Sequence, residues 1–311
     1  MAFNINNTNI DFLGKRRIAM ALSALLVVGS LILIAVRGLN FGIDFTGGTL
    51  IEIGYPEPVE LTQVREHLEE GGYGRATVQY FGTSQDILIR LAPREGESSA
   101  ELSDQIFSTV KGGDAAVEMR RVEFVGPQVG EGLREQGGLA MVYALIGILI
   151  YVTLRFEWRF SVAAVVALIH DVLITLGVFS LLQAEFDLSV LAAVLALIGY
   201  SLNDTIVVFD RIRENFRKQR KEDAQSVMNN AVNQTLSRSI MTSGTTLLVV
   251  AALFVLGGAA IHNFALALLV GIVIGTYSSV YIASALALQL GVDRNTMLPV
   301  KKEGEDLEDR P

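Results

Sequence analysis

The stretch IAMALSALLVVGSLILIAV, residues 18–36, contains no charged side chain and is bounded by Arg17 and Arg37. A helix of this length rises about 28 Å, close to the roughly 30 Å hydrocarbon core of a bilayer. Basic residues precede it, but the stretch is long for a secretory signal and no A-x-A cleavage site follows it. We therefore predict an uncleaved transmembrane helix.

Five further apolar runs follow between residues 139 and 290, and hydrophobic residues make up 51% of the 311 residues. Mean hydropathy is +0.43, which is too apolar for an ordinary soluble domain of this size. Together with residues 18–36, the runs predict an α-helical integral membrane protein with six transmembrane helices. The five runs are residues 139–154, 160–182, 188–209, 240–256 and 264–290.

Basic residues predict the orientation of these helices. They precede the first span, follow the second and cluster after the fourth, whereas the short connections after the third and fifth spans contain no Lys or Arg. We therefore expect residues 1–17 and the acidic tail, residues 293–311, to be cytoplasmic. Residues 37–137 then face the opposite, outer side of the membrane, and residues 138–292 hold spans two to six with a basic cytoplasmic loop at 211–238.

The loop between the first two spans is long enough to form its own core. Its strand-like and helix-like segments follow the order β-α-β-β-α-β, with glycine pairs closing both helices. This order predicts one α+β, ferredoxin-like domain between helices 1 and 2, on the outer side of the membrane. The segments are residues 49–53, 64–68, 76–81, 87–91, 102–110 and 117–125, with a hairpin turn at 82–86.

Charge and missing motifs exclude several classes of function. A net charge of −8 argues against a nucleic-acid partner, since phosphate binding needs a basic face. Cysteine is absent, so no disulfide staples the large loop. No G-x-x-x-x-G-K-[ST] phosphate loop occurs, which removes the simplest route to ATP-driven work. We expect a membrane transport subunit rather than an enzyme, without a metal or cofactor.

His170 and Asp171 lie near the middle of the third span, where a charge costs at least about 3 kcal/mol. One interpretation is an interhelical polar pair, in which the two side chains satisfy each other or a neighbouring hydroxyl. The other is a site that binds and releases protons. Both interpretations stay open from the sequence.

Asp204 lies inside the fourth span, and Arg238 opens the fifth span on the same predicted side of the membrane. Arg238 is therefore a candidate counter-ion for Asp204. The alternatives are a carboxylate reached by water at the interface and a basic residue that snorkels to the membrane surface. Asp210 and Arg211 are interpreted as boundary residues.

Five motifs, in this order along nearly the whole chain, resemble those of the SecD/SecF family. This family consists of bacterial inner-membrane subunits that work beside the SecYEG translocon, and it belongs to the resistance-nodulation-division type of proton-driven machines. The motifs are residues 41–50, FEWR at 156–159, HD at 170–171, GYSLND at 199–204 and FDRIREN at 209–215.

The resemblance implies that the chain works with SecD and uses the proton motive force to help an unfolded preprotein through SecYEG, in the lipid bilayer. YajC is a further candidate partner. The resemblance places Asp204 and Arg238 at positions implicated in proton flow and ranks His170 and Asp171 second. Sodium is the alternative coupling ion.

Two other functions stay open from the sequence. The first is a scaffold subunit that holds the translocon together without transporting anything. The second is half of a small-molecule exporter, which requires a substrate cleft in the loop domain.

Overall fold

The computed structural model describes residues 9–93, 99–112, 116–219 and 221–293. Most of the predicted acidic tail therefore lies outside the described residues. In chain order the elements are α1 (Arg16–Arg37), β1 (Asn40–Phe41), α2 (Ile43–Thr46), β2 (Gly48–Gly54), α3 (Leu61–Glu70), β3 (Thr77–Phe81), β4 (Thr83–Leu91), α4 (Ser99–Lys111), β5 (Glu118–Val125), α5 (Pro127–Arg155), α6 (Trp158–Leu182), β6 (Glu185–Phe186), α7 (Leu188–Lys218), α8 (Ala224–Leu256), α9 (Ala259–Ser278), a π-helical turn (Ser279–Ala283) and α10 (Ser284–Gln289).

Six helices in the described part of the chain are long and apolar enough to cross a membrane. They are α1, α5, α6, α7, α8 and the continuous segment from α9 to α10. The six predicted spans are thus confirmed as helices. The helices α6, α7 and α9 are more buried than α1, α5 and α8, whose apolar surfaces face outward.

The prediction of a loop at 211–238 is wrong for most of that segment. Helix α7 continues to Lys218, and α8 already begins at Ala224. The apolar stretch ends where the charged residues begin, but the helices continue, because charged side chains stabilise them through an ion pair and a helix cap. Glu214 contacts Lys218 at 2.6 Å with (i, i+4) spacing. Asp223 caps α8, accepting a hydrogen bond from the backbone N–H of Ser226 at 3.2 Å.

Small residues allow close packing at the centre of the helix bundle. A Cβ atom added to Gly271 of α9 would lie 2.3 Å from Leu197 of α7. One turn further along α9, a Cβ atom on Gly275 would lie 3.0 Å from the hydroxyl of Ser201. These glycines therefore allow α9 to approach the polar face of α7 closely.

The segment from β2 to β5 forms an α+β domain with the element order β-α-β-β-α-β. Its four strands are antiparallel in the order β3-β4-β2-β5. Helices α3 and α4 bury side chains such as Leu68 and Ile106 against Ile51 and Ile89 of the sheet. The predicted hairpin turn at 82–86 is shorter than expected, because Gly82 adopts a φ of +80° and β4 begins at Thr83.

Two short strands join this domain to the helix bundle. Strand β1, just after α1, pairs in parallel with β6, which connects α6 to α7. The rings of Phe41, Phe45 and Phe186 pack together at this junction. Arg90 of β4 forms an ion pair with Glu185 of β6.

We expect Arg90→Ala to loosen this junction by about 3–5 kcal/mol, because it leaves Glu185 buried without its counter-charge. Hydrogen exchange of the β1 and β6 amides measures the opening. Burial already raises the pKa of Glu185, and Arg90 opposes that rise. The defect of the variant should therefore shrink as the pH falls and Glu185 becomes protonated.

The matched control is Arg121→Ala, which breaks the exposed Arg121–Glu123 pair of the same domain. Exposed ion pairs contribute about 0–1 kcal/mol to stability. Hydrogen exchange of the β1 and β6 amides should therefore change little in Arg121→Ala. The double variant Arg90→Ala/Glu185→Gln should regain part of the lost protection. If Arg90→Ala and Arg121→Ala changed the exchange rates equally, the buried Arg90–Glu185 ion pair would not be what stabilises the junction.

Candidate functional site in the membrane

Asp171 is the most enclosed carboxylate of the bundle, with 1% of its surface exposed near the middle of α6. The hydroxyls of Ser201 on α7 and Ser278 on α9 donate to its Oδ2 at 2.6 and 2.8 Å. Its Oδ1 lies 2.9 Å from Nδ1 of His170, which is also buried. The carboxylate thus links three helices, and the interpretation as an interhelical polar pair describes part of its surroundings.

A change of helix geometry brings the serines of the last span to this site. Ser278 ends α9, and the next five residues form the π-helical turn. Such turns are rare and often mark functional sites. Ser279, the first residue of the turn, lies 2.9 Å from the hydroxyl of Thr205 on α7. Two consecutive serines therefore contact α6 and α7 respectively.

Asp204 lies one helical turn beyond Ser201 on α7 and is 8% exposed. The hydroxyl of Ser239 on α8 donates to its Oδ1 at 2.5 Å. Its Oδ2 is buried and has no hydrogen-bond partner among the described residues. Among the described residues, this second oxygen is the one unsatisfied carboxylate atom of the site, and it can carry a proton.

Arg238 occupies a different position from the one expected. It is exposed, and within the described ranges no ion pair joins it to Asp204. Its charge is nevertheless close enough to act on the carboxylate electrostatically. The direct contact comes from the next residue, Ser239. The sequence thus identified the correct end of α8 but not the side chain that touches Asp204.

Sequence reasoning missed the hydroxyls of this site. Ser201, Thr205, Ser239, Ser278 and Ser279 are all buried, and each contacts an aspartate or another of these hydroxyls. One signal was present: Ser201, Asp204 and Thr205 follow (i, i+3) and (i, i+4) spacing, which places them on one face of a helix. No sequence pattern indicated the π-helical turn.

The groups of this site are chemically able to carry a proton. Two carboxylates and one imidazole lie among hydroxyl groups that can both donate and accept hydrogen bonds. In the part of the chain that the structure describes, no group of three or more His, Cys, Asp or Glu residues is placed to hold a metal ion.

Comparison with known proteins assigns the family. The family model "Protein export membrane protein SecD/SecF, C-terminal" matches residues 105–293, more than half of the chain. The chain belongs to the SecD/SecF family. The "SecD/SecF GG Motif" model also matches residues 32–58, which include α2 and Gly47-Gly48. The resemblance inferred from the five motifs is thereby confirmed.

Full-length relatives agree with this SecD/SecF assignment. The chain is 53% identical over 305 residues to "Protein translocase subunit SecF" of Vibrio alginolyticus, covering 97% of each chain. It is 46% identical to the protein of the same name from Escherichia coli O157:H7, covering 95% of this chain and 93% of that one. With six apolar helices, this SecD/SecF protein is a multi-pass membrane protein of the bacterial inner membrane.

A crystal structure of SecDF from Thermus thermophilus, described as a translocon-associated membrane protein, has the same fold. The TM-score is 0.83 at 40% identity, and the match covers 91% of this chain. It covers 39% of the SecDF chain, so the larger protein contains much that has no counterpart here.

Proposed function

We propose that the chain is the SecF subunit of a protein translocase that couples the proton motive force to preprotein export together with SecD. The names of the relatives support a role in protein translocation, and the chemistry of the site supports coupling to proton movement. The observation that carries the proposal is the buried Oδ2 of Asp204, which has no hydrogen-bond partner within the described residues.

Proton binding at Asp204 would change how the helices are held together. When ionised, the carboxylate accepts from Ser239 and attracts Arg238 on α8. When protonated, it no longer attracts the cation, so α7 and α8 are free to shift relative to each other. Each proton that crosses about 100 mV releases about 2.3 kcal/mol, which such a shift can transmit.

Asp171 and His170 form the second part of the proposed relay. Ser201 contacts Asp171 and lies one turn from Asp204 on the same helix. A rotation of α7 would therefore alter both carboxylate environments at once.

The orientation and partners follow from this proposal. Both termini are cytoplasmic, and the α+β domain is periplasmic, where it meets the emerging unfolded preprotein. Its strand order and its two helices on one face support a ferredoxin-like classification. SecD completes the machine beside SecYEG, YajC is a further partner, and the proton is the coupling ion.

The test is ion flux in vesicles that contain the chain with its SecD partner. A proton gradient should drive proton entry that depends on both subunits, and a sodium gradient alone should drive none. Flux driven by a sodium gradient would show that sodium, rather than the proton, is the coupling ion. Assembly of the complex without flux of either ion would favour the scaffold function.

A further inference from the structure

Two family motifs that the relay does not use meet at the membrane face opposite the α+β domain. Arg155 ends α5 immediately before the FEWR motif, and Asp210 and Arg213 belong to the FDRIREN motif of α7. Nη2 of Arg155 lies 3.0 and 3.1 Å from the two carboxylate oxygens of Asp210. Nη1 of Arg213 donates to the backbone carbonyl of Arg155 at 3.3 Å. The two guanidinium groups are therefore held next to each other.

A buried aromatic ring supports both arginines. The guanidinium carbons of Arg155 and Arg213 lie 5.0 and 5.3 Å from the ring centre of Phe156. Phe156 itself packs against Phe160 and Phe209 in the core. A ring that is fixed in this way restricts the positions of two otherwise mobile cations.

Positive charge exceeds negative charge in this cluster. Arg155 and Arg213 both lie within 4.0 Å of Asp210, and Arg217 follows Arg213 by one turn of α7. The two acidic residues nearest in sequence have other partners. Glu157 pairs with Arg159, and Glu214 contacts Arg211 and Lys218. A cluster of three cations and one carboxylate can accept an additional anion.

The surface beside the cluster is apolar. Leu154, immediately before Arg155, is 84% exposed, and Ile150 and Tyr151 one turn earlier are 56% and 53% exposed. Trp158, at the start of α6, is 53% exposed, as expected for an aromatic residue at a membrane interface. An apolar column on α5 thus ends at a group of guanidinium donors.

We propose that Arg155 and Arg213, supported by Arg217, bind the phosphate of an anionic phospholipid whose acyl chains lie along the exposed side of α5. Paired guanidinium groups match phosphate oxygens, and basic sites at helix ends on the basic side of a membrane protein bind anionic headgroups. Soluble phosphate has no apolar part that could cover the exposed apolar side of α5. An acidic protein segment would not account for exposed leucine and isoleucine beside the cations.

The chain contains a single tryptophan, Trp158, which follows Arg155 by three residues at the start of α6. Quenching of its fluorescence by brominated lipid therefore reports the local lipid. The full chain is reconstituted in phosphatidylcholine vesicles with a small fraction of brominated phosphatidylglycerol. The matched sample carries the same fraction of brominated phosphatidylcholine in vesicles with unlabelled phosphatidylglycerol. We expect stronger quenching by brominated phosphatidylglycerol.

Variants separate a specific site from general surface charge. Arg155→Gln and Arg213→Gln should each lower the preference for phosphatidylglycerol about fivefold. Arg211→Gln removes the same charge from α7, but its partner is Glu214, and the preference should be unchanged. Asp210→Asn should raise the preference, because it frees Arg155. This opposite sign cannot arise from misfolding alone.

Three results would overturn the lipid site. The first is equal quenching by the two brominated lipids with the unmodified chain. The second is an equal loss of preference in Arg211→Gln and Arg213→Gln. The third is a preference in Asp210→Asn that is no stronger than that of the unmodified chain.

Discussion

Asp204→Asn should reduce proton flux to the background of protein-free vesicles while the complex with SecD still assembles. The amide has nearly the same shape as the carboxylate, and its oxygen can still accept the hydrogen bond from Ser239. It cannot bind and release a proton near neutral pH. The variant therefore removes the titration and leaves the packing of α7 against α8. Proton flux is followed with a pH-sensitive dye inside the vesicles, and preprotein export is measured in parallel.

The matched control is Glu214→Gln on the same helix. Glu214 is 42% exposed and contacts Lys218 and Arg211, so the substitution neutralises a carboxylate outside the buried site. Its flux should equal that of the unmodified chain. Full flux in Asp204→Asn would refute the proposed relay. Loss of flux in Asp171→Asn but not in Asp204→Asn would make Asp171 the principal proton carrier.

The buried carboxylates were predictable from sequence because their cost in the bilayer makes them conspicuous. An ionisable residue inside a membrane span usually marks a functional site or a buried polar contact. Asp171 and Asp204 are indeed 1% and 8% exposed. Their partners were not predictable in the same way. Serine and threonine are common in membrane helices, and which hydroxyl faces a carboxylate depends on the rotation of each helix.

Arg238 and Ser239 illustrate this limit. Adjacent residues on a helix point about 100° apart, so only one of them can face Asp204 directly. Charge complementarity favoured Arg238, whereas the packing of α8 on α7 brings Ser239 into contact. The boundaries of the basic segment were missed for a related reason: hydropathy measures where the apolar stretch ends, and charged residues continue a helix well.

The order of strands and helices in the α+β domain was readable because each element has its own apolar periodicity and is bounded by turn residues. Its attachment to the bundle was not. Strands β1 and β6 are two residues long, too short for any periodic pattern, and they pair across more than 140 positions of sequence.

The second large effect is expected at the glycine pair that follows α2. Gly48 has a φ of +131°, and a Cβ atom placed there would lie 2.3 Å from the backbone carbonyl oxygen of Leu91. A backbone atom within a sheet cannot move aside as a flexible side chain can. Gly48→Ala must therefore separate β2 from the end of β4 or leave the sheet strained. We expect it to destabilise the domain by about 4 kcal/mol or more.

Gly72→Ala in the same domain is the matched control. Gly72 also has a positive φ, +82°, but apart from its own chain neighbours no atom of the described residues lies within 4 Å of the added Cβ. Its cost should be limited to about 1–2 kcal/mol from the left-handed backbone. In hydrogen exchange, Gly48→Ala should accelerate the amides of β2 and β4 about a thousandfold, and Gly72→Ala about tenfold. Similar acceleration in both variants would show that backbone conformation, rather than close contact with Leu91, requires glycine at position 48.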